Sequence, residues 1–228
     1  MTYILLLRHG QNDLVEKHQL AGWLPDVHLN ATGQEQATAL AARLAHLALS
    51  ALYSSPLPRC METAGPIAQG HNLAIQAVPE LGEVRYGAWE GQKTDELAKL
   101  PAWQQVQHFP SRLRFPAGEA LREVQFRAVQ ALEGLAERHP QAIIAVVSHA
   151  DLIKLLLAHY LGVHIDLFQR IVIAPASASV LDLTDTGTVR ILRINDDGPL
   201  ALTFPAEEAT SPAAADAPDA AGEGRKGE

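Results

Sequence analysis

Two runs in this chain are apolar at every position, Tyr3-Ile4-Leu5-Leu6-Leu7 and Ala142-Ile143-Ile144-Ala145-Val146-Val147. A strand with one wet face alternates apolar and polar residues. A short run that is apolar throughout reads as a strand covered on both sides, the situation of a parallel sheet clad by helices. Helical patterns lie between the strand candidates. Thr32-Gly33-Gln34-Glu35 reads as a capping box, followed by Ala37, Leu40, Ala41, Leu44 and Leu47 at helical spacing. A helix is expected from near Pro58 to Gly70. Another opens at Gly118 with Leu121, Val124, Ala128, Leu132 and Leu135 on one face and stops at His139-Pro140. A fourth, strongly apolar, runs from Asp151 to Leu161.

Ala51-Leu52-Tyr53 and residues 74–78 supply further short strands. Residues 179–183 and 189–194 form an alternating pair around a turn containing Asp185-Thr186-Gly187, which reads as a closing hairpin. The stretch 80–116 is loop-rich, with a modest helix around 93–100. Strands alternating with helices imply right-handed crossovers. The expectation is therefore a three-layer α/β/α sandwich with a mainly parallel central sheet. It forms one domain over residues 1–204, followed by a disordered tail of alanine, proline and acidic residues over 205–228.

Composition excludes several functions. The chain has 228 residues and a net charge of −8, of which −4 belongs to residues 206–228, so a general nucleic-acid binder is not expected. Any anion must be met by locally gathered arginines. A single cysteine, Cys60, excludes an internal disulfide and a cysteine-built zinc site; it reads as a small buried residue. The first apolar run is too short to cross a membrane, and it lacks the flanks of a signal peptide. The cytoplasm is the expected compartment, with no membrane partner.

Ligands of such sheets sit beyond the carboxyl ends of the strands. Arg8-His9-Gly10 and Ser148-His149 both stand there. A histidine after a buried strand is held by rigid backbone, and Arg8 offers a planar fork of donors suited to phosphate oxygens. Gly10 is expected to let the backbone approach a ligand. Arg59, in Ser54-Ser55-Pro56-Leu57-Pro58-Arg59, falls in the first turn of a helix, where the dipole already favours anions. Leu81-Gly82-Glu83 and Tyr86-Gly87-Ala88-Trp89-Glu90-Gly91 place carboxylates in a loop among aromatic residues.

Taken together and in their order along the chain, the four segments resemble the histidine phosphatase superfamily, the group of cofactor-dependent phosphoglycerate mutases and many small-molecule phosphatases. The resemblance covers residues 3–195. Leu20-Ala21-Gly22-Trp23, Phe115-Pro116-Ala117-Gly118-Glu119 and the run 166–172 with Pro175-Ala176-Ser177 are similar to a bacterial branch labelled probable phosphomutase or phosphatase. The resemblance implies a phosphoglycerate mutase-like fold and a metal-independent, cofactor-free phosphomonoester hydrolase acting on a small phosphorylated metabolite. It implies that His9 is the nucleophile and forms a phosphohistidine. Arg8, Arg59 and His149 would bind phosphoryl oxygens, and Glu83 would be the proton donor. Two guanidiniums compensate phosphoryl charge and hold His9 unprotonated at one ring nitrogen. One carboxyl can serve first as acid and then as base.

The alternatives are a phosphomutase, which returns the phosphoryl group to the same substrate, and a non-catalytic phospholigand binder. The chain departs from the family pattern in two places. Gln11-Asn12 replaces a Glu-Thr-like pair, with Asn12 still able to offer its amide to phosphate. Ala150-Asp151 replaces a glycine after the second histidine, and Asp151 is expected to cap the following helix. Glu90 is a rival acid, and Glu119 is expected either to cap its helix or to reach the pocket. Arg127 and Arg170 read as structural ion-pair formers, Trp23 and Trp89 as cleft walls or core. His28 reads as a surface or pocket-rim residue. The remaining histidines, at positions 18, 46, 71, 108, 139, 159 and 164, read as surface or helix-end residues.

Overall fold

The computed structural model describes residues 1–184 and 187–199. The tail, the end of the domain at residue 204 and the hairpin-turn residues 185–186 lie outside the described residues. Among the described residues six strands form one sheet: β1 (Thr2–Arg8), β2 (Leu49–Ser54), β3 (Ile75–Ala77), β4 (Ile143–Ser148), β5 (Ala178–Leu183) and β6 (Val189–Asp196). Their order is β3-β2-β4-β1-β5-β6. The first four strands in that order pair in parallel, and the closing hairpin adds β5 and β6 antiparallel at one side.

Among the described residues seven α-helices accompany the sheet: α1 (Asp13–Glu16), α2 (Ala31–Leu44), α3 (Pro58–His71), α4 (Thr94–Leu97), α5 (Pro101–His108), α6 (Leu121–Arg138) and α7 (Ala150–Tyr160). The unbroken apolar runs are explained by two separate cores, one on each face. Ile4 and Leu6 of β1, with Ile144 and Val146 of β4, pack with α6 and α7. Leu5 and Leu7, with Ala145 and Val147, pack with α2 and α3. Successive side chains of a strand point to opposite faces, so a strand serving two cores needs apolar residues at every position.

Several boundaries differ from expectation. Helix α2 is capped by Asn30, whose side chain accepts from the Gly33 amide at 2.9 Å, so Thr32 is inside the helix and forms no capping box. Gly118 does not open α6. A Cβ there would lie 2.2 Å from the Arg85 carbonyl oxygen, so Gly118 serves a close backbone crossing, and the helix begins at Leu121. The modest helix expected around residues 93–100 is the short α4, and α5, opened by Pro101 at its first position, is a further helix in a stretch expected to be loop.

Candidate active site

The register of β1 on β4 places Arg8 opposite Ser148. The next residue on each strand is therefore a neighbour of the other, and the rings of His9 and His149 meet edge-to-face with centroids 5.1 Å apart. The backbone continues the pairing one residue further, with the His9 amide donating to the Ser148 carbonyl at 2.9 Å. From β2 the chain passes through Ser55 into α3, whose first turn carries Arg59. That arginine is 1% exposed, although it bears a full charge.

His9 is almost wholly buried, and its Nδ1 donates to the Gly10 carbonyl at 2.7 Å. A carbonyl only accepts, so the proton resides on Nδ1 and Nε2 keeps its lone pair. Burial holds the imidazole well below its ordinary basicity, and the charges of Arg59 and Arg8 act the same way. His9 is thus neutral and oriented, the state a nucleophilic imidazole requires. Its loop is tied to α3, since the Gly10 amide donates to Thr63 Oγ1 at 3.0 Å and that hydroxyl donates to the Arg59 carbonyl at 2.7 Å. The close approach made by Gly10 is to backbone: a Cβ there would lie 2.5 Å from the Gly33 carbonyl oxygen. Gly10 therefore admits the first turn of α2, where a ligand contact was expected.

Four donor atoms gathered here are buried without a hydrogen-bond partner: Arg8 Nε, Asn12 Nδ2 and Arg59 Nε and Nη1. Buried polar groups are nearly always paired, and each one that is not costs about 1–3 kcal/mol. Asn12 Oδ1 is occupied in capping α1 through the Val15 amide at 2.9 Å, which leaves its NH2 free as expected. Arg8 Nη1 is anchored on the Ile173 carbonyl, and Arg59 Nη2 on the Gly22 carbonyl at 2.8 Å. Both forks are therefore oriented while other N–H groups stay available. The pattern matches an anion with several acceptor oxygens.

His149 has both ring nitrogens engaged. Nδ1 accepts from Arg59 Nη2 at 3.2 Å, and Nε2 donates to Ser55 Oγ at 2.7 Å. Burial, Arg59 and His9 hold it well below ordinary basicity. In this geometry His149 is a neutral prop for the Arg59 guanidinium. Cys60 packs against the same ring, with its thiol 3.3 Å from Nε2, and burial pushes that thiol up to about 12, as expected of an inert residue.

Glu83 reaches the site from the loop after β3. Its Oε1 accepts from the Val84 amide at 2.9 Å. Burial, followed by the charge of Asp151, pushes its carboxyl up to about 7, against the opposing pull of the Val84 amide, Arg59 and Arg8. The loop is held from three sides. Trp23 Nε1 donates to the Glu83 carbonyl at 2.6 Å, and Ser148 Oγ donates to the Leu81 carbonyl at 2.7 Å. Arg127 donates to the carbonyls of Glu80, Gly82 and Glu83 at 2.6, 2.9 and 3.0 Å, while both Glu119 oxygens receive its remaining N–H groups at 3.0 Å.

Arg127 is thus the ion-pair former expected, and it also fixes the acid loop. Glu119 neither caps α6 nor joins the pocket. Glu90 is a tie between loops, its Oε1 accepting from the amides of Trp23 and Tyr86, each at 3.1 Å. Trp23 lines the site loop beneath Arg85, whose guanidinium carbon stands 3.6 Å from the ring centroid, whereas Trp89 is core, packed on Phe115 and Trp103. His28 is exposed and paired with Glu62 at 2.5 Å.

Asp151 does not cap α7, because His149 occupies the cap position. Its carboxylate instead accepts from Tyr86 Oη at 2.8 Å and from Lys154 Nζ at 3.0 Å. Sequence reasoning gave no role to Ser55, Thr63, Tyr86 or Lys154. Ser55, Thr63 and Tyr86 act through contacts dozens of residues away, which leave no local signal, whereas Lys154 pairs with Asp151 one helical turn earlier, a spacing that could have shown it.

Comparison with known proteins agrees with this geometry. The sequence model described as "Histidine phosphatase superfamily (branch 1)" matches residues 4–197. Phosphoserine phosphatase 1 of Hydrogenobacter thermophilus is 31% identical over 197 residues, 86% of this chain and 92% of that protein. The uncharacterized phosphatase PhoE of Bacillus subtilis is 28% identical over 162 residues, 71% of this chain and 79% of its own. Among solved structures, YhfR of Bacillus stearothermophilus superposes with a TM-score of 0.81 at 26% identity, covering 87% of this chain and 98% of that one. The chain belongs to the histidine phosphatase superfamily and is an enzyme of phosphoryl transfer.

Proposed function

We propose that this protein hydrolyses a small phosphorylated metabolite in two displacements through a phosphohistidine on Nε2 of His9. In the first, the Nε2 lone pair forms a bond to phosphorus as the ester P–O bond breaks. The carboxyl proton of Glu83 passes to the departing alkoxide oxygen. In the second, the Glu83 carboxylate takes a proton from water as the water oxygen attacks phosphorus. The P–N bond breaks, inorganic phosphate leaves, and both residues return to their starting states. Arg8, Arg59 and Asn12 donate to the three non-bridging oxygens, whose charge is what the protein must compensate in phosphoryl transfer. Neutral His149 contributes by holding the Arg59 guanidinium, whose Nη2 donates to its Nδ1.

The observation that carries this reading is the set of four buried, unpartnered donors flanking a neutral histidine with a free Nε2. The test is phosphate release from a panel of small phosphomonoesters in EDTA, with wild type and His9→Ala side by side. Release by wild type alone, and an acid-labile, base-stable phosphoryl label on the enzyme, are expected. Equal release by both, or dependence on a divalent ion, would overturn it.

A further inference from the structure

Behind the acid loop lies a cavity of about 230 Å³, walled on one side by apolar residues such as Trp103 and Phe168 and on the other by Tyr86, Asp151, Lys154 and Gln169. Its polar wall is carried by the same two chain segments as the site. Asp151 stands two residues beyond His149, and Tyr86 three beyond Glu83. With Cα atoms 3.8 Å apart along the chain, the wall is within about 11 Å of both. The Tyr86–Asp151 hydrogen bond, 2.8 Å long, joins the two segments.

The wall is built around an ion pair. Lys154 Nζ donates to Asp151 Oδ1 at 3.0 Å and to Gln169 Oε1 at 3.1 Å. Both charged side chains are sheltered, 16% and 17% exposed. An ammonium has three N–H groups and a carboxylate about four lone-pair sites, so both keep capacity after these bonds. The Gln169 amide nitrogen also remains free to donate. The cavity thus presents a positive donor end beside a negative acceptor end, with no net charge. Arg8 and Arg59 already match the two charges of a phosphate dianion. A leaving group that fits here therefore brings no net charge either. At about 30 Å³ per water-sized group, the space takes seven or eight non-hydrogen atoms.

We propose that this cavity is the leaving-group subsite, and that the Asp151–Lys154 pair selects a small alcohol carrying both an ammonium and a carboxylate, as in an O-phosphorylated amino acid. The carboxylate meets Lys154 and Gln169, and the ammonium meets Asp151. A carboxylate alone is opposed by Asp151 and an ammonium alone by Lys154. A neutral polyol satisfies the hydrogen bonds without charge assistance. The proposal rests on the phosphatase reading above.

The experiment compares kcat/KM for O-phosphoserine, 3-phosphoglycerate, phosphoethanolamine, glycerol phosphate and p-nitrophenyl phosphate, in wild type, Asp151→Asn and Lys154→Gln. Wild type is expected to prefer phosphoserine over the three singly charged or neutral alkyl esters by roughly tenfold or more. Relative to glycerol phosphate, Asp151→Asn should cost the two ammonium substrates roughly tenfold. Lys154→Gln should cost the two carboxylate substrates as much. Hydrolysis of p-nitrophenyl phosphate without preference for phosphoserine overturns the proposal and leaves the phosphatase reading standing. Ratios that neither variant moves do the same. Silence toward every ester, the activated aryl ester included, overturns both.

Discussion

Glu83→Gln separates what this carboxyl does in catalysis from what it does to stability. Burial and Asp151 push Glu83 from an ordinary 4.5 up to about 7. Between those values the folded chain retains a proton that the unfolded chain has released. Folded protein then binds more protons, so stability is full below 4.5, declines as pH rises and is fully reduced above 7. Each pH unit of that gap is worth 1.36 kcal/mol, so the wild type loses about 3 kcal/mol across it. Glutamine does not titrate, and its Oε1 can keep the bond from the Val84 amide. The stability difference between variant and wild type should therefore grow by about 3 kcal/mol from pH 4.5 to pH 8, or about 6–12 °C in melting temperature for a domain of this size. Urea or thermal unfolding at pH 4.5, 6 and 8 measures it. Titrating groups that do not interact with Glu83 cancel in the difference. A stability difference that is the same at pH 4.5 and pH 8 would refute the reasoning, because Glu83 would then ionise normally and could not hold a proton for a leaving group near neutrality.

Activity should follow the same ionisation: wild-type kcat/KM falls about tenfold per pH unit above 7, where the acid form is depleted, and Glu83→Gln is inactive throughout. Arg127→Met removes the three carbonyl bonds that hold the acid loop, so kcat should drop about 10- to 100-fold with KM little changed; rate profiles over pH distinguish this from simple unfolding, since the fall in rate above pH 7 should shift. Arg59→Lys keeps a charge but loses the fork that binds the Gly22 carbonyl, His149 and phosphate together, and steady-state kinetics should show a loss of about 2–4 kcal/mol in transition-state stabilisation. Gly33→Ala places a Cβ 2.0 Å from the Gln11 carbonyl oxygen, whereas Gly65→Ala, with nothing within 4 Å, meets open space. Thermal melts should show the first destabilised by about 1–3 kcal/mol and the second stabilised by about 0.5–1 kcal/mol.

The residues legible in the sequence are those whose place is fixed by a strand end. His9 and His149 each follow an apolar run, and parallel strands bring equivalent ends together, so adjacency in space follows from pattern alone. Arg59 was legible through Pro58 at a helix start. The acid's neighbourhood was not, because Asp151 lies 68 residues beyond Glu83 and the two meet only through packing. Asp151 shows the limit of local reading: an acidic residue in a first turn reads as a cap, but the cap position was already taken by His149. Thr32 failed for a related reason. Asn30 and Thr32 are both good caps. The helix starts at the earlier one because Gly33 must lie against Gln11, a contact made across sequence and invisible to capping rules. Helix α5 escaped because its apolar residues, Trp103 and Val106, are few and serve the wall of a cavity.

The two halves of the site are held in different ways, and this has a chemical consequence. Arg8, His9 and His149 are fixed by the sheet, whose strands would have to slip to move them. Glu83 sits on a loop fixed by side chains from three separate places, Trp23, Arg127 and Ser148. Phosphoryl charge is the same for every substrate, so its ligands gain from a rigid frame. The proton donor must meet an oxygen whose position and basicity differ from one leaving group to another, and a loop with its own anchors can be adjusted without disturbing the sheet. Asp151, whose charge raises the donor's proton affinity, also faces the cavity beside it, together with its partners Tyr86 and Lys154. Any leaving group that binds there changes the charges around Glu83. A ligand ammonium at Asp151 would weaken that carboxylate's hold on the Glu83 proton, making Glu83 a stronger acid when the correct substrate is in place. Selection of the leaving group and delivery of its proton are then one electrostatic event, carried by Asp151.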